Sequence, residues 1–517
     1  MTENKRELPL GINDFESIRT GGYLYVDKTE YVYELATQGK PYFLGRPRRF
    51  GKSLLLSTLK AYFLGKKELF EGLAIADLEK DWIERPVICI DLNKPDIHDA
   101  ATLSAVLDSI LHELEKEWGV EPYDKYPSLR FEGIIRRACE KTKKRVVVLV
   151  DNYDKPLFDT LDNKEVNDEI CNILRSLYCI LKSADAYLHF VMLTGVTKIS
   201  KLNEFSDMNQ LIDVSTYYRL EGICGITEDE LTANFEPELR HFAEECKLTC
   251  EDALNELKIR YGGYHFTKKS TEMYYNPFSL LNTLSCGKFT DNWLQSDMPT
   301  FLVKMVRNAG FTISEFEDDV LLSEEFMYHY RSHVNDPTPL LYQNGYLTIK
   351  DCIFNRQVYK LGFPNTEVKY GVLNKLMPVY VSEWTKDDSS ISKFTEKLLS
   401  GDVDGFMTLL QAIYAGMPNE LENQVEKYYR NIIYLIFTLM GQFVQTEVHN
   451  ADAVVKTPDT VFVFEFKLDE TSTAAAALKQ INDKSYAIPY TADNLKIVKI
   501  GVEFNTKDRT IGRWLIN

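Results

Sequence analysis

Two short stretches of the chain hold residue types whose spacing could do chemistry. The first is "LGRPRRFGKSLLLSTL", from Leu44 to Leu59. Gly51, Lys52 and Ser53 open a run of helix formers, as a phosphate-binding loop does on entering its helix. Backbone N–H groups there point at the anion, the lysine supplies a point charge, and the hydroxyl reaches Mg²⁺. In the G-x-x-x-x-G-K-S spacing the leading glycine would stand at position 46, but that residue is Arg46, and Gly45 comes one place early. Pro47 fixes its own φ, and Arg46, Arg48 and Arg49 offer guanidinium groups that could line phosphates.

A phosphate loop of this kind works with a second strand ending in an aspartate that holds the Mg²⁺ shell. "VVVLVDNYDKP" supplies Asp151 after an apolar run. Many such ATPases follow this aspartate with a glutamate that polarises the attacking water, and here that residue is Asn152. An amide orients water but cannot take its proton, so slow turnover is expected unless Asp154 or another carboxylate substitutes. Thr194, closing the apolar run "LHFVMLTG", stands where a polar sensor of the γ-phosphate would lie. The expected cofactors are ATP and Mg²⁺, with Ser53 and Asp151 on the metal side.

The second stretch is "TEVHNADAVVKTPDTVFVFEFKLDE", residues 446–470. Pro458 and Asp459 read as the centre of a turn. A hairpin symmetric about that centre sets Lys456 opposite Val461 and Asp452 opposite Glu465, with Lys467 on the face of Glu465 and Phe462, Phe464 and Phe466 on the other. Two opposed carboxylates repel, and a divalent ion between them removes the repulsion. D-x12-E-x-K is the pattern of PD-(D/E)xK nucleases: the acidic pair, Asp452 and Glu465, would hold Mg²⁺, and Lys467 would stabilise hydroxide or transition-state charge. Glu426, opening the helix "EKYYRNIIYLIF", could add a metal carboxylate or simply suit a helix start.

The elements that must position these residues follow from hydrophobic patterning. Through about the first 225 residues, near-continuous apolar runs at 41–45, 85–92, 145–151 and 188–195 alternate with helical periods near 101–118 and 164–184. Such runs suit parallel strands covered on both faces. Residues 223–375 read as mainly helical, and the remainder returns to α/β, with helices near 421–440 and 472–487 and strands near 443–456, 461–468, 495–504 and 510–516.

Composition narrows the function classes. With 517 residues, several domains are expected. No apolar run is long enough to span a membrane and the first residues hold no apolar signal region, so a cytoplasmic protein without a membrane partner is expected. The nine scattered cysteines, with no C-x-x-C pair, read as reduced and mostly buried thiols. A net charge of −17 argues against wholesale nucleic-acid binding, and Gln445–Asn517 holds 9 Lys+Arg against 10 Asp+Glu. The basic cluster Arg136–Arg145 reads as a solvated helix end.

"LGINDF" (10–15), "YVDKT" (25–29), "RPRRFGKSLLLSTL" (46–59), "LVDNYDKP" (149–156), "TGVTKIS" (194–200), "YGGYHF" (261–266) and "YNPFSLL" (275–281) resemble the bacterial AAA-ATPase-like family, whose members carry a C-terminal PD-(D/E)xK nuclease-like domain. The likeness runs through nearly the whole chain. It implies an N-terminal P-loop (ASCE-type) parallel sheet with helices on both faces over 1–222, a mainly helical lid or linker over 223–375, and an α/β restriction-endonuclease-like domain over 376–517. In that family the arginine-rich loop replaces the common lead-in, which accounts for Arg46. Gln480 and Tyr486 match its Q-I…Y pattern, implying contact with the scissile phosphate or the DNA backbone. Two departures are Asn152, where the family reads D-E-Y-D, and "HNAD" in place of the Gly-Arg pair before the aspartate.

The reading that follows is an ATP-binding, Mg²⁺-dependent nuclease acting on DNA in preference to RNA. Its rival is a nucleotide-switched interaction protein that binds nucleic acid or a partner without cutting. The rival draws on Asn152 and the acidic surface, and the first on Asp452, Glu465 and Lys467.

Overall fold

The computed structural model describes residues 7–94, 97–121, 125–197, 210–267, 272–292, 298–309, 312–317, 320–328, 336–353, 357–381, 389–415, 425–441, 445–447, 452–469, 473–493 and 495–517. The chain divides into two compact units, one of 1–296, 318–333 and 338–368, the other of 297–317, 334–337 and 369–517. Residues 223–296 therefore fold with the N-terminal sheet rather than as a separate body.

The first unit is built on β1 (Pro41–Gly45), β2 (Val87–Asp91), β3 (Val146–Asp151), β4 (Leu188–Gly195) and β5 (Ile212–Asp213), all parallel, in the order β2-β3-β4-β1-β5. From Val146 to Val150 every residue of β3 is buried, as is Phe190–Gly195 of β4, which is why both read as unbroken apolar runs. Helices Lys52–Phe63, Ala100–Trp118, Pro127–Thr142 and Lys164–Ser183 supply the crossovers. The basic cluster lies at the end of helix Pro127–Thr142. The strand order has a consequence for chemistry. β4 lies between β1 and β3, with Leu44 beside Thr194 and Val150 beside Leu193, so Thr194 separates the end of β1 from Asp151.

After β5 the short strands β6 (Ile226–Thr227) and β7 (Tyr274–Tyr275) pair antiparallel. Helices Glu236–Glu245, Cys250–Tyr261 and Pro277–Cys286 share a core that includes Phe235, Phe242, Leu257, Tyr261 and Leu280. Within the stretch read as mainly helical, β8 (Val320–Ser323), β9 (Thr348–Ile353) and β10 (Val358–Gly362) form a three-stranded antiparallel sheet in the order β8-β10-β9. The pattern hid this sheet. β9 buries Thr348 and Ile349 in succession and then exposes Lys350 and Asp351, and β10 shifts register between Lys360 and Leu361, so neither strand alternates cleanly.

The second unit holds β11 (Gln445–Glu447), β12 (Ala453–Lys456), β13 (Thr460–Leu468), β14 (Lys496–Asn505) and β15 (Thr510–Ile516), adjacent in that order, with β13 and β14 parallel and the other neighbours antiparallel. Side chains alternate across β13. Phe464 and Phe466 point toward Phe437 of helix Val425–Met440, at ring distances of 5.0 and 6.2 Å. Val461 and Val463 point the other way, into a cluster with Val454 and Ile481 of helix Ala474–Asp483. Each buried phenylalanine contributes about 1.5–3 kcal/mol, enough to fix which face of β13 is inward.

All nine cysteines are free thiols, but only Cys171 and Cys224 are buried. Cys89 lies on the edge strand β2, and Cys250 and Cys286 lie at helix ends where solvent reaches. Among the described residues no helix is long and apolar enough to cross a membrane.

Candidate functional site

The phosphate-type loop owes its shape to two left-handed residues, Arg49 at φ +65° and Gly51 at φ +96°, before the helix begins at Lys52. Glycine adopts such a conformation freely, whereas arginine does so only with support. For Arg49 that support is the ring of Phe278, 3.9 Å from its guanidinium carbon. Arg48 lies over Phe158 in the same way, at 5.0 Å.

Arg46 departs from expectation. Its side chain is 2% exposed and turned behind the loop, donating to the carbonyls of Gly45, Ser215 and Glu221 at 3.0, 2.7 and 3.2 Å, with Phe266 stacked 4.1 Å away. A guanidinium committed to three carbonyls and a ring is a brace for the loop and does not line phosphates. Gly345, at φ +84°, packs against the loop so closely that a Cβ there would come within 2.6 Å of Pro47.

Arg48, Arg49, Gly51, Lys52 and Ser53 line a cleft of about 520 Å³ whose other walls include Pro9–Asn13, Asn93, Asn152, Asp154, Lys155 and Phe278. The Lys52 ammonium donates to Arg46 O and Pro47 O, both at 2.9 Å. Burial lowers its pKa, while the charges of Asp151 and Asp154 act the other way. A phosphate oxygen entering the cleft would replace those carbonyls as the acceptor.

Asp151 and Thr194 meet at the strand ends, where the threonine hydroxyl donates to Asp151 Oδ1 at 2.6 Å. Asn152 takes φ +53°, and its Nδ2 donates to Asp91 Oδ1 at 3.1 Å. Asp154, 3% exposed, accepts at Oδ2 from Val196 N, Thr197 N and Thr197 Oγ1 at 2.9, 2.5 and 2.6 Å, and burial raises its pKa. One oxygen of Asp154 thus anchors the loop after β4, which counts against it as the substitute base.

The hairpin follows the symmetric register: Ala453 faces Phe464, Val455 faces Phe462 and Lys456 faces Val461. The turn is closed by Thr457 N donating to Thr460 O at 2.9 Å. Asp452 directly precedes this ladder, and its Oδ2 accepts from Phe466 N at 2.7 Å. Lys467 Nζ donates to Glu465 Oε1 at 2.7 Å, and Gln480 Nε2 donates to the same oxygen and to the Tyr486 hydroxyl, the latter at 3.4 Å. The three phenylalanines are buried on the opposite face. Helix Ala474–Asp483 is what brings Gln480 over Glu465. Glu426 lies in the first turn of helix Val425–Met440, but its side chain is outside the described residues, as are positions 449–451 of "HNAD" and 198–200 of "TGVTKIS".

Glu465 is 2% exposed, and among the described residues its Oε2 is buried without a hydrogen-bond partner. Burial raises the pKa of Glu465, and the Asp452 charge raises it further; burial likewise raises that of Asp452, against Phe466 N–H, Lys467 and Arg430. An orphaned buried carboxylate oxygen beside a second carboxylate is what a hard divalent cation would satisfy. Among the described residues no three His, Cys, Asp or Glu side chains cluster for a metal, so such an ion would take its other ligands from water, backbone or phosphate.

Raised pKa values have a measurable cost. Carboxyls whose folded pKa lies above the unfolded value favour folding below the unfolded value, near 4, and that contribution is lost as pH rises through the folded value. Asp452→Asn keeps an acceptor for Phe466 N but removes the charge. In chelator-treated protein it should raise the melting temperature of the second unit at pH 8 and leave it unchanged near pH 3, as followed by differential scanning calorimetry.

Sequence reasoning missed Asp91, Asn93, Phe278 and Arg430. Asp91 was legible as an aspartate ending an apolar run, the signal used for Asp151. Arg430 acts on Asp452 from the preceding helix, Val425–Met440, and left no motif.

Compared with known proteins, residues 9–205 match the family described as "Predicted AAA-ATPase", and residues 424–514 match the "PD-(D/E)XK nuclease superfamily". A protein of Azotobacter chroococcum mcd 1, described as "Uncharacterized protein in vnfD 5'region", is 35% identical over 521 residues, covering 98% of each chain. The chain belongs to the AAA-ATPase-like family whose members join a predicted AAA-ATPase domain to a C-terminal domain of the PD-(D/E)XK nuclease superfamily.

Proposed function

We propose that the protein is an ATP-binding, Mg²⁺-dependent nuclease acting on DNA. The observation that carries this reading is the convergence on Glu465: Lys467 and Gln480 donate to its Oε1, the Asp452 carboxylate acts on it from beside, and its Oε2 is buried without a partner among the described residues. Asp452 and Glu465 would hold Mg²⁺, which when bound supplies Lewis-acid stabilisation and an activated water. Lys467 places a positive charge beside the acidic pair, where charge develops on phosphorus. Gln480 orients Glu465, leaving its other oxygen for the cation. In the first unit Lys52, Arg48 and Arg49 would hold the ATP phosphates, with Ser53 and Asp151 on the Mg²⁺ side and Thr194 fixing Asp151. The deciding experiment is cleavage of plasmid and oligonucleotide DNA, and of RNA, with Mg²⁺ or EDTA and with or without ATP. The expected result is Mg²⁺-dependent cutting of DNA.

ATP hydrolysis should be slow, well under the typical enzyme value of about 10 s⁻¹, because residue 152 is an amide bonded to Asp91. Asn152→Glu should raise it, near the low end of the ~10²–10⁴-fold that general-base catalysis provides, because glutamate is less at ease than asparagine at a positive φ. Phosphate release measures both. A wild type turning over at an ordinary ATPase rate would place the base elsewhere.

The second reading, a nucleotide-switched interaction protein, is favoured by Asn152 and by the near-neutral charge of Gln445–Asn517. It takes over if no nucleic acid is cut with any divalent ion.

A further inference from the structure

We propose that Gly501 and Glu503 are positioning residues of the candidate cleavage site: they fix the height and the start of helix Ala474–Asp483 over the sheet, so that Gln480 reaches Glu465. This rests on the reading of Asp452, Glu465 and Lys467 as that site. The parallel register of β13 and β14 sets Gly501 beside Glu465 and Glu503 beside Lys467. Ladder partners share a face, so both residues lie on the face that carries Glu465 and Lys467, and the helix packs over both strands there. Gly501 is buried, and a Cβ built on it would collide with Ala474 O and lie 2.6 Å from Leu478 N. Both are backbone atoms, so no change of rotamer makes room. The φ of Gly501 is not positive, so the position calls for glycine on grounds of space and not of conformation.

Glu503 acts at the end of the helix. Its Oε2 accepts from Ala474 N at 3.0 Å, while the N-cap Thr473 accepts from Ala476 N at 3.3 Å. A carboxylate in that place satisfies a donor the helix leaves open and suits the positive end of its dipole. Ala474 and Ala477, both buried, are the small side chains the helix turns to the sheet. Gln480 lies about 9 Å beyond Ala474 along the helix, so a shift at the start is carried to the amide that donates to Glu465 Oε1. Room for a methyl group at position 501 means a rise of the helix by about 1 Å, and a misplacement of that size can cost a reaction roughly 10²-fold.

Plasmid nicking by the full chain, read as kcat and KM, tests this together with calorimetric titration of Mn²⁺ without nucleotide. Gly501→Ala should lower kcat roughly 10²-fold with KM for DNA unchanged, and should weaken Mn²⁺ binding by about 10-fold, the low end for loss of a group that orients a metal ligand. Gln480→Ala should act alike, and the double variant should be no slower than Gln480→Ala alone, because both changes remove one interaction. Glu503→Ala should lose kcat in the same way, and Glu503→Gln, which keeps an oxygen for Ala474 N, should restore most of it. Losses that add in the double variant, wild-type kcat in Gly501→Ala or Gln480→Ala, or equal kcat in the two Glu503 variants would overturn the assignment. Melting curves check folding; should Gly501→Ala unfold, the Glu503 pair decides. If the wild type cuts nothing but loses Mn²⁺ through Asp452→Asn, the Mn²⁺ affinities of the same variants decide. A wild type that cuts nothing and whose Mn²⁺ binding survives Asp452→Asn would instead overturn the cleavage site, and the positioning roles with it.

Discussion

Asp452→Asn should abolish Mg²⁺-dependent DNA cleavage and leave ATP affinity unchanged; this is the largest effect expected of any single substitution. The replacement is nearly isosteric and keeps an oxygen to accept from Phe466 N, so the fold is preserved. What is lost is the second negative charge beside Glu465, and with it the reason for a divalent ion to bind there. Loss of one electrostatic contact at a reacting centre costs roughly 10²–10³-fold, and loss of a metal ligand should cost at least that. Gel analysis of plasmid nicking across a Mg²⁺ series measures it. Cleavage at the wild-type rate by Asp452→Asn would remove the acidic pair from the mechanism. Glu465→Gln should behave alike, because its orphaned oxygen would become part of a neutral amide.

Lys52→Ala should weaken ATP binding by roughly 10- to 100-fold, the range set by about 1.5–3 kcal/mol for a hydrogen bond to a charged group. Lys52 is buried and its ammonium is bonded only to carbonyls of its own loop among the contacts described, so exchange for phosphate replaces neutral acceptors with a charged one. Arg46→Ala should act differently. Its guanidinium braces Gly45, Ser215 and Glu221 from behind, so its removal should lower the melting temperature of the first unit as well as affinity. Calorimetric titration of ATP into both variants, with their melting curves, separates the two roles.

Much of this was legible in the amino-acid order because the signals are local. Gly51-Lys52-Ser53 states its helix and its charge within three residues, and the Pro458 turn sets the register of the strands on either side, so the ladder from Ala453 to Phe464 could be counted out beforehand. Alternation then assigned Phe464 to one face and Glu465 to the other, because strand geometry has a period of two. The unbroken apolar runs of β3 and β4 likewise declared a sheet covered on both sides.

The tertiary structure decided what depends on partners distant along the chain. Nothing next to Arg46 says that its guanidinium turns inward, since its acceptors Ser215 and Glu221 lie about 170 residues away. Asp154 looked available as a base until Val196 and Thr197 folded onto it. The small sheet β8-β10-β9 joins a strand at 320–323 to a hairpin at 348–362, across a gap that no periodicity spans. The cleft over the loop is assembled from the N-terminal segment, the loop and helix Pro277–Cys286. A cavity belongs to no single segment, and only the packing of all three makes one.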